Sequence, residues 1–167
     1  MARHPHRLPR DHYIGRFTYF LTASTYQRLP FFLDAELATA AGDHLLRAAR
    51  KHGFADISHV FMPEHVHVLI EGERDDSDFI KWLDLWRQFS GFYWRQRTGN
   101  YLWEEGYWDY TLRTEESVRG LASYIAWNPV RAGLVKAPAE YPWIGSERFT
   151  VEELASEPPT KPRFSDW

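Results

Sequence analysis

Cysteine is absent from this chain, which excludes disulfides and thiolate metal sites together. Long apolar runs are absent too: none approaches the roughly 18 residues that a membrane-spanning helix requires. The first ten residues, Met1 to Arg10, are basic and polar and lack the apolar centre of a secretory signal, so the expected compartment is the cytoplasm and no membrane partner is expected. An excess of positive charge is also missing. The net charge of −3 does not by itself mark a nucleic-acid binder. What is present is enough apolar material for a core, with 44% hydrophobic and 17% aromatic residues in a length of 167 that suits one compact domain. The distribution of charge says more than its sum. Acidic residues gather at Asp75, Asp76 and Asp78 and again at Glu152, Glu153 and Glu157, while arginines gather in the N-terminal arm and around Arg87, Arg95 and Arg97. That pattern fits a local basic groove, and it equally fits a solvated helix face.

Residues 1–15 read as a flexible basic arm, 16–145 as a single domain, and 146–167 as a polar, proline-rich tail. Alternation through Phe17, Tyr19, Leu21 and Ala23 predicts a first strand. Asp34 can cap a helix running through Leu37, Ala41, Leu45 and Ala49, with Gly53 as its stop. Two strands follow, Phe54 to Met62 and His65 to Glu71, and the tight Pro63-Glu64 connection makes them an antiparallel hairpin. Ser77 or Asp78 can cap a second helix with apolar positions at Phe79, Leu83, Trp86, Phe89 and Tyr93, ended by Gly99. A further strand spans Tyr107 to Leu112. A third helix after Thr114 carries Leu121, Ala122 and Ile125, and Pro129 is expected to end it. From about Ala137 the chain reads as loosely packed, with Tyr141 to Trp143 as its anchored piece. The expected fold class is α+β: a ferredoxin-like β-α-β-β-α-β core with a four-stranded antiparallel sheet, plus a C-terminal helix carrying a tyrosine.

Two stretches carry candidate chemistry. In the second strand of the hairpin, His65 and His67 are two apart and project to one face, while Val66 and Val68 go to the other. Two imidazoles on a rigid strand make half of a divalent metal site; alone, the same pair is also compatible with two polar residues on an exposed strand face. In the third helix, Tyr124 and Asn128 are four apart and share one face. An amide oxygen one turn from a phenol can complete a metal site beside a nucleophile, since a free phenol, with a pKa of about 10, attacks poorly at neutral pH. The alternative is a half-buried aromatic followed by a helix terminator. His59 reads as structural.

The motifs taken together are more specific. Phe61 to Leu69, with His65-Val66-His67 at its centre, is followed by Ser90 to Phe92, Thr98-Gly99, Leu102-Trp103, Gly106 to Asp109 and then Tyr124 to Val135. This order resembles the REP-associated tyrosine transposases, single-tyrosine members of the HUH (His-hydrophobic-His) transposases, over about residues 13 to 145. The resemblance implies Mg2+ or Mn2+ on His65 and His67, Asn128 as a third metal-binding group, and Tyr124 as the nucleophile that cuts single-stranded DNA beside a hairpin and forms a 5′-phosphotyrosine. Where the family commonly has Asn or Asp before the first histidine, this chain has Glu64, to which no ligand role is carried. The implied partner is single-stranded or hairpin DNA, met by a monomer or a homodimer. Arg3, Arg7 and Arg10 are expected to grip the hairpin, and Arg87, Arg95 and Arg97 to line a single-strand track, with Tyr93 and Trp94 beside them either stacking bases or packing in the core, and Trp82 and Trp86 in the core. The rival reading is a domesticated DNA-hairpin-binding protein that no longer cuts.

Overall fold

The computed structural model describes residues 9–113 and 117–161. The first strand, β1 (Thr18–Ser24), leads through two short 3-10 turns into α1 (Ala35–His52), then β2 (Phe54–Met62), β3 (His65–Gly72), α2 (Phe79–Thr98) and β4 (Trp108–Thr111). The strands pair antiparallel in the order β4-β1-β3-β2, which is the ferredoxin-like arrangement expected from the element order. The cap signals operate as read. The Asp34 carboxylate accepts from the Leu37 amide at the start of α1, and Gly53 ends that helix at φ 70°, a left-handed position that favours glycine. At α2 the cap is Asp78, which accepts from the Lys81 amide, whereas the Ser77 hydroxyl donates to the Gly53 carbonyl.

Two cores lie on opposite faces of the sheet. Tyr19, Leu21, Val66, Val68 and Ile70 face α1 and α2 and are closed over by Trp82 and Trp86, both fully buried. Phe20, Val60, Met62 and Leu69 face the other way, against α3 (Val118–Ala126). The serine before α3, Ser117, caps it by accepting from the Gly120 amide. The helix does not run on to Pro129. It ends at Ala126, and Pro129 sits in the first turn of a separate short helix, α4 (Asn128–Arg131). Proline lacks an N–H to donate, so it opens a helical turn at no cost where it would interrupt a continuing one.

The C-terminal region is more organised than its composition suggests. Tyr141 is anchored as expected, its hydroxyl donating to the Phe61 carbonyl at 2.7 Å. A two-residue strand, β5 (Ile144–Gly145), then adds a fifth strand on the outer edge of β2. Gly145 is required there because a Cβ would overlap the His59 ring, 2.3 Å from the nearest ring atom. His59 itself is held at 2.7 Å by buried Asp56, consistent with a structural part. Beyond it, α5 (Val151–Ser156) docks on α3: Leu154 is fully buried, the Ser123 hydroxyl lies within donating distance of the Leu154 and Glu157 carbonyls, and the Thr160 amide donates to the Gly120 carbonyl. The end of the N-terminal arm is tied down as well, with Tyr13 buried and Arg10 bonded to Asp78 at 2.6 Å. Among the described residues, no helix is long and apolar enough to cross a membrane. Leu154→Ala is expected to lower unfolding free energy in urea by about 2–5 kcal/mol, the cost of emptying a closed leucine site. A change below about 0.5 kcal/mol, typical of surface positions, would mean that α5 does not stabilise the core.

Candidate active site

Strand alternation places His65 and His67 on the α3 side of the sheet, where the His67 ring lies 5.5 Å from that of Phe20. The two rings converge, with their Nε2 atoms 3.2 Å apart. Each is held from behind. The Nδ1 of His65 donates to the Glu64 carboxylate at 2.9 Å, and the Nδ1 of His67 lies 2.8 Å from the hydroxyl of Thr22, its cross-strand partner on β1. A hydroxyl can donate or accept. With Thr22 donating, a chain of hydrogen bonds runs Thr22–His67–His65–Glu64. With Thr22 accepting, both Nε2 lone pairs are bare and point at one place. Burial lowers the basicity of both rings: His65 against the pull of Glu64, and His67 further because His65 and Arg131 lie close. Both rings are therefore neutral at neutral pH, the form that ligates metals.

The helix α3 crosses this same face, seated by Leu121, Ala122, Ile125 and Ala126 on Phe20, Val60, Met62 and Leu69. Tyr124 falls beside that buried stripe and is half-buried. The Arg131 guanidinium lies over its ring, 3.8 Å from the centroid, and donates to the Tyr124 carbonyl at 2.8 Å. Asn128 is not on the same helix as Tyr124, as their spacing had implied. It opens α4 across a junction at Trp127 (φ −80°, ψ −4°) that stays right-handed.

Sequence spacing alone did not point to Thr22, Glu64 or Arg131. The adjacency of Glu64 to His65 and the seven-residue interval between Tyr124 and Arg131, two turns of a helix, were the available signals. Among the described residues, no group of three or more His, Cys, Asp or Glu side chains is arranged to hold a metal ion. Among the described residues, a third protein donor beside the histidines would be an amide, a hydroxyl or a backbone oxygen. Two neutral imidazoles, each with its second nitrogen engaged by an oxygen, fit a divalent metal site.

The arginines divide. Arg87 and Arg95 border an open groove beside α2. Arg97 points elsewhere, paired with Glu36 at 2.6 Å and lying over Tyr93. Trp94 is buried, and Tyr93 packs against the same core, so Trp94 is core and not a stacking platform. Arg10 is half exposed at the start of α2. Arg3 and Arg7 lie outside the described residues.

The sheet is ferredoxin-like, and a histidine pair on one of its faces shares that face with a tyrosine-bearing helix. No family profile matches the chain. It is 25% identical over 146 residues to a REP-associated tyrosine transposase of Escherichia coli K12, spanning 87% of this chain and 86% of that protein. A provisionally named REP-associated tyrosine transposase of Haemophilus influenzae is 24% identical over 116 residues, 62% of this chain and 65% of that protein. Among solved structures, a REP-associated tyrosine transposase bound to a REP hairpin superposes with a TM-score of 0.64 at 24% identity, covering 86% of this chain and 82% of the other. The chain is thus similar in sequence to REP-associated tyrosine transposases and shares the fold of the hairpin-bound one.

Proposed function

We propose that this protein nicks and rejoins single-stranded DNA beside a REP-type hairpin, with Tyr124 as nucleophile. The convergence of the His65 and His67 Nε2 atoms at 3.2 Å, on the face crossed by the helix that bears Tyr124, is the observation that carries this reading. The hydroxyl oxygen of Tyr124 attacks the scissile phosphorus. The bond to the 3′ oxygen breaks as the tyrosine–phosphorus bond forms, leaving a 5′-phosphotyrosine and a free 3′-hydroxyl. One phosphoester replaces another, so the step is reversible and needs no ATP. Arg131 fixes the ring by its face and thereby restricts the directions from which the hydroxyl can approach. Glu64 and Thr22 hold the two imidazoles in position. His65, His67 and Asn128 are the residues that would hold Mg2+ or Mn2+, and the ion would supply Lewis-acid stabilisation of negative charge on the phosphate. The test is to incubate the full chain with a labelled REP-type hairpin carrying a single-stranded flank, with Mn2+, and to look for a denaturation-resistant protein–DNA adduct mapped to Tyr124. An adduct elsewhere, or cleavage without any adduct, refutes the assignment.

Backbone charge contributes to binding through Arg87 and Arg95, with Arg10 reaching the hairpin. Arg97, already paired with Glu36, contributes less. Arg95→Gln is expected to flatten the plot of log binding constant against log salt by about 0.7, the share of one phosphate contact on a single strand. Anisotropy titrations across salt measure it, and an unchanged slope would remove Arg95 from the interface.

A further inference from the structure

Phe92 and Tyr101 are 62% and 59% exposed, and neither is needed to close a core. With Arg87, Gly91 and Arg95, which recur every fourth residue along one face of α2, they border an open groove of about 400 Å3 floored by Leu102 and Trp103. The Arg95 guanidinium lies 5.0 Å from the centre of the Tyr101 ring. The row continues beyond the groove. Tyr101 is 5.9 Å from Tyr26, whose amide donates to the Leu102 carbonyl. After Tyr26 come Gln27 and Arg28, two successive non-glycine residues in the left-handed region at φ 53° and 52°. Such a conformation persists only where its surroundings impose it, and it clusters at functional sites. The Thr25 and Gln27 amides hold it, donating to the Glu64 carbonyl and the Glu104 carboxylate. The turn delivers the Arg28 guanidinium to 3.8 Å from the Glu64 carboxylate, the group that orients His65.

Exposed rings and cations therefore lie side by side from the groove to Arg28, which stands beside the carboxylate that orients His65. Rings that can take bases and cations that can take phosphates suit a single strand, whose base faces are free to stack; in a duplex those faces are covered by their neighbours. We propose that this row is the track by which the single-stranded flank reaches the His65–His67–Tyr124 site. Bases stack on Phe92, Tyr101 and Tyr26, and phosphates lie on Arg87, Arg95 and Arg28. This rests on the functional reading above and adds to it which side of the protein carries the flank.

The test uses the full chain and a REP-type hairpin, either blunt or with a flank of about eight nucleotides, within the span that single-strand grooves cover. The flank carries one 2-aminopurine, whose fluorescence changes on stacking. The double variant F92A/Y101A is expected to lose about tenfold or more in affinity for the flanked hairpin, by the measured contribution of base–aromatic stacking. It is also expected to lose the fluorescence change, while its affinity for the blunt hairpin and its circular dichroism match wild type. Phe89→Ala removes another exposed ring of α2 that stacks instead on His44, away from the groove, and is expected to match wild type in every arm. If wild type prefers the flanked hairpin and F92A/Y101A retains that preference and the fluorescence change, the track is wrong and the functional reading stands. If wild type binds plain duplex as tightly as flanked hairpin, the functional reading fails and the track with it.

Discussion

Tyr124→Phe is expected to bind the hairpin and to form no covalent DNA adduct. The substitution removes one hydroxyl. The phenylalanine ring still lies under Arg131, and the main-chain carbonyl at 124 still accepts from that guanidinium. The seat of α3 on the sheet, made by Leu121, Ala122 and Ile125, is untouched, so stability in urea is expected to change by less than about 1 kcal/mol, the usual net worth of one hydrogen bond. Chemistry has no such reserve, because the bond to phosphorus needs the missing oxygen. Denaturing gels with a labelled oligonucleotide measure the outcome. An adduct formed by Tyr124→Phe at the wild-type rate would place the nucleophile elsewhere. A native gel run beside it separates the rival reading: a hairpin-binding protein that has lost cutting would bind the hairpin on the native gel and show no adduct on the denaturing one in wild type.

His65→Ala and His67→Ala are each expected to reduce metal-dependent cleavage by about 100-fold or more, the scale for removing a group that stabilises developing charge. The two will differ in what else they disturb. Among the described residues the His65 side chain is hydrogen-bonded to its neighbour Glu64 and to His67, so its loss leaves the sheet intact. His67 is bonded across to Thr22 on β1 and packed against Phe20, so a stability cost of about 1 kcal/mol accompanies the loss of activity. Added Mn2+ is expected to raise the melting temperature of wild type and of neither variant. Cleavage at wild-type rates by either variant would dissociate the histidine pair from the chemistry.

The strand periodicity at His65 and His67 was sufficient to place both rings on one face, because side-chain direction alternates strictly along a strand and needs no tertiary information. Helical spacing was less sufficient at Tyr124 and Asn128. A proline one residue beyond Asn128 was readable as an end, but the chain instead restarts as α4, since the first turn of a new helix has no use for the missing donor. Trp82, Trp86 and Trp94 share the buried stripe of α2, whereas Phe92 falls off it. For Trp94 the local sequence left core packing and base stacking equally open, and the packing of α2 decided for the core. The ordered C-terminal region was the least legible part, because a two-residue strand and a six-residue helix are too short to show periodicity and exist only where β2 and α3 offer an edge and a face.

By itself the sequence determined the order of the elements from β1 to α3, the caps of α1 and α2 and the face of the histidine pair, all of which depend on neighbours within about one or two turns of chain. Only the tertiary structure decided what meets what. It set Thr22 and Glu64 behind the imidazoles, brought Arg131 over Tyr124, separated Arg97 from Arg87 and Arg95, and lined Tyr26, Tyr101 and Phe92 along one surface leading to Glu64. These pairings join residues on different elements, and their geometry is fixed by how two cores close on opposite faces of one sheet, which no local pattern encodes.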